Sequence, residues 1–88
     1  LTLVLMLQPA ESGGALRLWD VTYAGDEQPA DGALQAPHAD VHYRVGELLV
    51  LDSYRLHQIQ PFQGPRDRIS ATAHAVRPAP GAPWEVWF

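Results

Sequence analysis

The 88-residue chain contains no cysteine, which excludes disulfides, thiolate metal ligands and a cysteine nucleophile. It also contains no lysine, and its six arginines are spread along the chain, so no basic cluster indicates a nucleic-acid surface. No apolar run reaches the roughly 18 residues of a membrane-spanning helix. The opening run Leu1–Leu7 lacks the basic region and the small-residue cleavage site of a signal peptide. Since an absence of cysteine fits a reducing compartment, we expect a cytoplasmic protein without nucleic-acid or membrane partners.

Helical periodicity is missing as well, because no segment of ten or more residues repeats its apolar side chains at helical spacing. Short apolar or alternating runs stand between turns rich in Gly and Pro, a pattern typical of a jelly-roll or cupin-like fold. The predicted strands are 1–7, 15–19, 41–44, 47–52, 55–60, 68–76 and 84–88. The sequence therefore predicts an all-β fold in a single domain, residues 1–88. Because the chain opens without Met inside a strand-like run, we expect that domain to be partial.

A long loop is predicted between the second and third strands, over residues 20–37, with two Pro and two Gly. Long loops in compact domains are usually functional or mobile. The loop carries four acidic residues that we expect to be solvated: Asp20, Asp26, Glu27 and Asp31.

Polar side chains alternate along the predicted strand 68–76. Because neighbouring side chains of a strand point to opposite faces, Arg68, Ser70 and His74 share one face and small apolar residues share the other. In the preceding strand His57 and Ile59 share a face. If the two strands flank the turn 61–67, we expect His57 and Arg68 to face one cavity.

Four motifs occur in a characteristic order. They are Ser12-Gly13-Gly14-Ala15-Leu16, Gly46-Glu47-Leu48-Leu49-Val50-Leu51, Leu56-His57-Gln58-Ile59-Gln60-Pro61 and Arg68-Ile69-Ser70. Together they resemble the second half of the double-stranded β-helix of 2-oxoglutarate/Fe(II)-dependent oxygenases, in the prolyl-4-hydroxylase-like branch. The resemblance covers about residues 1–77.

The resemblance implies a role for individual residues. His57 would be the distal ligand of an Fe(II) held by two histidines and one carboxylate, a set that leaves positions open for co-substrate and O2. Arg68 would bind the far carboxylate of 2-oxoglutarate, because a guanidinium suits a bidentate carboxylate contact. Ser70 and Ile59 would complete the co-substrate site, and further candidates for its lining are Met6, Leu16 and His74. The implied cofactors are Fe(II) and 2-oxoglutarate, with ascorbate as a candidate accessory reductant.

The family's first two iron ligands form a His-x-Asp motif, which we expect to precede Leu1 in a longer protein. A His-x-Gly or His-x-Ala there would indicate a halogenase instead. One His-Ala-Asp sequence does occur, at His38–Asp40, but it lies after the Gly-Gly hairpin and only 17 to 19 residues before His57. We interpret it as a coincidence in a loop, an interpretation that convergence of His38, Asp40 and His57 on one point would overturn.

Several residues leave alternatives open. Arg66 has the same strand parity as Arg68 and could be the carboxylate anchor, although the Pro65 beside it favours a turn. His74 is either a co-substrate contact or an interior structural histidine. Trp84 and Trp87 are interpreted as packing residues.

Two functions of different classes follow. The first is a dioxygenase, a hydroxylase that couples oxidative decarboxylation of 2-oxoglutarate to oxidation of a C–H bond in a small-molecule or peptidyl substrate. The alternative is a non-catalytic cupin-like binding module, or an inactive fragment that lacks the His-x-Asp ligands.

We expect the chain on its own to bind Fe(II) weakly and to associate. One histidine is a single ligand of three, and unpaired strand edges promote pairing between copies. Size-exclusion chromatography and an anaerobic Fe(II) titration measure the two properties. A soluble monomer that binds one Fe(II) tightly would contradict this prediction.

Overall fold

The computed structural model describes residues 1–25 and 31–88, so the predicted loop residues Asp26 and Glu27 lie outside the described residues. Nearly all of its regular structure is β-strand, which confirms the all-β prediction. Where the chain is described, no helix is long and apolar enough to cross a membrane. The strands are β1 (Thr2–Gln8), β2 (Ser12–Gly13), β3 (Leu16–Thr22), β4 (His38–Val41), β5 (Leu48–Leu51), β6 (Arg55–Ile59), β7 (Phe62–Gln63), β8 (Ile69–Val76) and β9 (Glu85–Trp87), with one 3-10 helix at Ala33–Gln35.

The strands form two larger antiparallel sheets. The first, called the major sheet here, has the order β5-β1-β8-β9, and the second, the minor sheet, has the order β4-β3-β6. A two-strand ladder of β2 and β7 completes the pairing. Non-consecutive strands are neighbours in both larger sheets, so each sheet is assembled from segments far apart in the sequence.

The core lies where the two larger sheets meet. Val4 and Leu51 of the major sheet form one buried cluster with Leu16 of the minor sheet, and Leu18 and Tyr43 pack against it. Burying a side chain of this size stabilises a fold by about 1.5–3 kcal/mol, so a cluster this small leaves the chain marginally stable. These contacts define the interior face of each sheet.

The fourth strand differs from its predicted position. A strand was expected at 41–44, but β4 spans His38–Val41 and pairs with β3 from Leu16↔Val41 to Trp19↔His38. His38–Asp40 therefore lies in a strand, and the interpretation of this segment as a loop is wrong. The composition of His-Ala-Asp carries little strand propensity, and pairing with β3 overrides it.

The outer face of the minor sheet carries a cross-strand ion pair. Arg17 Nε donates to Asp40 Oδ1 at 2.7 Å and Nη2 donates to Oδ2 at 3.0 Å. This bidentate hydrogen bonding lowers the pKa of Asp40 and raises that of Arg17. The Trp19 ring lies on the same face, 6.0 Å from the His38 ring. Trp19 is nevertheless buried, and its Nε1 donates to the carbonyl oxygen of Leu34 at 3.0 Å.

The Gly-Gly hairpin enters β3 by passing very close to the turn that follows β6. Gly13 has a φ of +73°, and a Cβ atom built on it would clash with the carbonyl oxygen of Pro61. Gly14 then donates its N–H to that same oxygen at 3.1 Å. Both the left-handed backbone and the close approach require glycine at position 13.

Gly13→Ala is expected to destabilise the fold more than Gly81→Ala. Both positions have a left-handed φ, +73° and +81°, so each alanine costs about 1–2 kcal/mol through the backbone alone. Only Gly13 has a neighbour in the path of the new Cβ, whereas the space around Gly81 is open. Urea unfolding of both variants measures the difference, and equal losses of stability would contradict the close approach.

Asp40→Asn is expected to lower the melting temperature slightly at pH 7 and to have a smaller effect at pH 2. The pKa of Asp40 is lower in the folded chain, so its ionised form stabilises the fold above the unfolded-state pKa of about 3.9. That contribution is lost as the pH falls through the folded-state value. Thermal unfolding between pH 2 and pH 7 tests this, with Glu85→Gln as a control, because Glu85 has no ion-pair partner among the described residues. A pH-independent difference between the wild type and Asp40→Asn would refute it.

Candidate functional site

The polar row predicted on the last long strand faces the interior. In the β1–β8 register, Met6 lies opposite Ser70, Val4 opposite Thr72 and Thr2 opposite His74, and directly opposed residues share a face. Met6, Val4 and Thr2 are buried, but Ser70 and His74 are only half-buried and Thr72 is exposed. The interior beside β8 is therefore open, in contrast to the packed interior beside β1.

Arg68 stands at one end of this open region, directly before β8. Its guanidinium makes three hydrogen bonds: Nε to the carbonyl oxygen of Gly14 at 3.2 Å, Nη1 to Ser70 Oγ at 3.3 Å and Nη2 to Tyr43 Oη at 2.5 Å. Its Cζ also lies 5.8 Å from the centroid of the Tyr43 ring. The side chain is thus held in one orientation by three elements of the fold.

All three acceptors of Arg68 are neutral oxygens. The ion pairs among the described residues are Arg17–Asp40 and Arg55–Asp20, and neither includes Arg68. A guanidinium has five N–H groups, so one N–H on each terminal nitrogen has no acceptor among the described residues. The half-buried cation thus offers two further donors and has no counter-ion in the part of the chain that is described.

A cavity of about 110 Å³ lies beside the Arg68 side chain. Met6, Ala15 and Tyr43 line it together with the Gly-Gly hairpin, and His42 also contributes to the wall. A Cβ atom on Gly14 would come within 3.1 Å of Arg68 Cδ, so the hairpin passes closely over the arginine. The Gly-Gly motif and Arg68, 54 residues apart, therefore form one site.

His57 has one free ring nitrogen. It lies opposite Leu18 in the β3–β6 register, and Leu18 packs on the core, so His57 is on the interior face of the minor sheet. Its Nδ1 lies 2.6 Å from the carbonyl oxygen of Arg55. Because a carbonyl oxygen only accepts hydrogen bonds, Nδ1 carries a hydrogen, and in the neutral imidazole the lone pair is on Nε2. A ligating histidine is typically oriented through such a bond of its other nitrogen.

His57 and Arg68 line two different cavities. The His57 cavity has a volume of about 350 Å³ and does not include Arg68, and the Arg68 cavity does not include His57. Ile59 is the next interior position along β6, a step of about 7 Å toward the arginine end of the sheet. The two residues therefore share an interior, but the single cavity expected from the sequence is divided in this structure.

His38 and Asp40 point away from His57. They pair with Trp19 and Arg17, which occupy the outer face of β3, whereas His57 is on the inner face. The Asp40 carboxylate is already held by Arg17. Within residues 1–25 and 31–88, no group of three or more His, Asp or Glu side chains could hold a metal ion. The His-Ala-Asp sequence thus does not form a triad with His57.

Three further residues were singled out in the sequence: His74, Arg66 and Trp84. His74 lies in the interior, where its Nδ1 is 3.4 Å from Thr2 Oγ1 and its ring centroid is 5.8 Å from that of Trp87. The same Thr2 hydroxyl is also 2.7 Å from Ser53 Oγ. Arg66 is exposed and does not line the Arg68 cavity, and Trp84 is exposed as well.

Tyr43 is the residue that the sequence predictions missed. It follows Ala39 and Val41 at two-residue spacing, so it continues the inward-facing side of β4 beyond the end of that strand. This alternation could have identified it, because Val41 and Tyr43 lie at the same parity within the predicted strand 41–44.

Comparison of the chain with models of protein families, with curated proteins and with solved structures found no match. The four motifs and the geometry around Arg68 and His57 are accordingly the grounds on which a function is proposed.

Proposed function

We propose that the chain contributes the co-substrate pocket of a 2-oxoglutarate/Fe(II)-dependent oxygenase with a double-stranded β-helix, or jelly-roll, fold. The observation that carries the proposal is the half-buried guanidinium of Arg68, which is oriented by three neutral oxygens and has no counter-ion among the described residues.

A partly desolvated cation is stabilised by an anion, because removing a charge from water is costly unless the charge is paired. Ser70 and Tyr43 favour a carboxylate in this role. Each hydroxyl accepts from Arg68 and so keeps its own hydrogen to donate to a ligand. A carboxylate in the Arg68 cavity would then receive two N–H and up to two O–H hydrogen bonds.

His57 supports the second part of the proposal. Its free Nε2 on the interior face is a suitable single ligand for Fe(II). The described residues do not fit a complete iron site, because the two further protein ligands that such a site needs are not among them. In such enzymes the metal and the 2-oxo acid supply the oxidising chemistry, and the protein supplies binding, orientation and shielding.

The Arg68 cavity by itself also suits a second candidate, a cupin-like module that binds a carboxylate without redox chemistry. The two candidates differ in how 2-oxoglutarate binding depends on iron. An oxygenase gains affinity from chelation of Fe(II) by the 2-oxo acid, whereas the binding module uses Arg68 alone.

Arg68→Met is expected to weaken 2-oxoglutarate binding by at least about 100-fold, since two charge-assisted hydrogen bonds are lost and each is worth about 1.5–3 kcal/mol. Arg66→Met is the matched control, because Arg66 is an exposed arginine of the same turn that does not line the cavity. Anaerobic calorimetric titrations with and without Fe(II) give the affinities.

Binding that is unchanged in Arg68→Met, or lost equally in Arg66→Met, would refute the carboxylate site. In the full-length protein, binding of 2-oxoglutarate that does not depend on iron would select the binding module over the oxygenase. For the full-length protein, formation of succinate from 2-oxoglutarate and O2 in the presence of Fe(II) is the expected activity.

A further inference from the structure

We propose that the cavity beside His57 binds a small planar-ring carboxylate, and that this is the substrate class of the protein. The ligand is a substrate only if the proposed function holds, because a ligand beside His57 lies next to a reacting metal only in an oxygenase. The cavity is shallow and open to solvent, with a volume of about 350 Å³, and is lined by Tyr23, Ser53, Tyr54, Arg55, Leu56 and His57.

Two tyrosines form an aromatic wall of this cavity. The rings of Tyr23 and Tyr54 are stacked, with centroids 6.2 Å apart and planes inclined by 13°. The backbone holds the pair together, because Tyr23 N–H donates to the carbonyl oxygen of Tyr54 at 2.7 Å. Both side chains are more than half exposed, at 57% and 64%. Exposed, pre-stacked rings offer a flat ligand an aromatic face at little conformational cost.

Arg55 gives the same cavity a cationic group. It is the one arginine among the six lining residues, and no Asp or Glu is among them. Its Nη1 donates to Asp20 Oδ1 at 3.2 Å, and 41% of the Arg55 side chain and 78% of the Asp20 side chain are exposed. An exposed pair of this kind contributes about 0–1 kcal/mol, so a ligand carboxylate can displace Asp20 at little cost.

The position of Arg55 supports such an exchange. Arg55 lines the His57 cavity and also a second depression of about 440 Å³, whose lining includes Asp20 and Leu18. Arg55 is therefore shared between the depression that contains its acidic partner and the cavity that contains the aromatic wall. The carbonyl oxygen of Arg55 also orients His57, so a ligand held by Arg55 and Tyr54 is next to the candidate metal ligand.

Three probes that differ in one property each test the proposal. Phenylacetate has a planar ring and a carboxylate, cyclohexylacetate has the carboxylate without the planar ring, and phenylacetamide has the ring without the charge. We expect phenylacetate to bind about ten-fold more tightly than either of the others, the size of one stacking or charge-assisted contact. Chemical-shift titrations of the full chain, without iron or 2-oxoglutarate, give the affinities.

Tyr54→Leu and Arg55→Gln are each expected to weaken phenylacetate binding about ten-fold. Trp84→Leu and Arg44→Gln are matched controls, since they remove an exposed aromatic and an exposed arginine outside the cavity. Arg68→Met should leave phenylacetate binding unchanged, because Arg68 lines the other cavity. Circular dichroism establishes that each variant is folded.

Equal affinities for the three probes, no binding of phenylacetate, or equal losses in the controls would overturn the proposal. If phenylacetate does not bind while 2-oxoglutarate binds through Arg68, only this inference fails. If phenylacetate binds while 2-oxoglutarate does not, the proposed function fails, and with it the assignment of the ring carboxylate as a substrate.

Discussion

The contact of Leu16 with Val4 and Leu51 is the interaction on which the rest of the structure depends. It is the point where the two larger sheets share a buried cluster, and it decides which face of each strand is interior. Because side chains alternate along a strand, this one contact assigns His57, Ser70 and His74 to the interior and Arg17, His38 and Asp40 to the outside. Every candidate for function follows from that assignment.

The two ends of the interior differ in chemistry. At the end near the Gly-Gly hairpin, a rigidly held guanidinium stands in a small cavity with neutral oxygens around it. Near His57 the cavity is larger and more open, and it combines aromatic rings with a loosely paired arginine. A small cavity with fixed donors suits one particular carboxylate, whereas an open cavity with an exchangeable ion pair suits a variable ligand. This division agrees with a co-substrate pocket beside a substrate pocket.

His57 and His38 show how little a histidine's identity says about its role. Both lie in strands of the minor sheet and both have an aromatic or polar neighbour. His57 is on the inner face, its Nδ1 hydrogen is donated to the carbonyl oxygen of Arg55, and the residue lines a cavity. His38 is on the outer face beside Trp19, and the nearby Asp40 is engaged by Arg17. The two histidines differ in strand parity, because each step of one residue along a strand moves the side chain to the other face of the sheet.

The sequence by itself determined the fold class, most of the strands and the alternation of Arg68, Ser70 and His74, because strand periodicity and Gly/Pro turns are local properties. It also singled out His57 and Arg68 through motifs. Only the tertiary structure decided that β4 begins at His38, that Tyr43 and the Gly14 carbonyl hold Arg68, and that His57 and Arg68 line separate cavities. These facts depend on pairings between residues 19 or more positions apart in the chain, and local periodicity carries no information about such pairings.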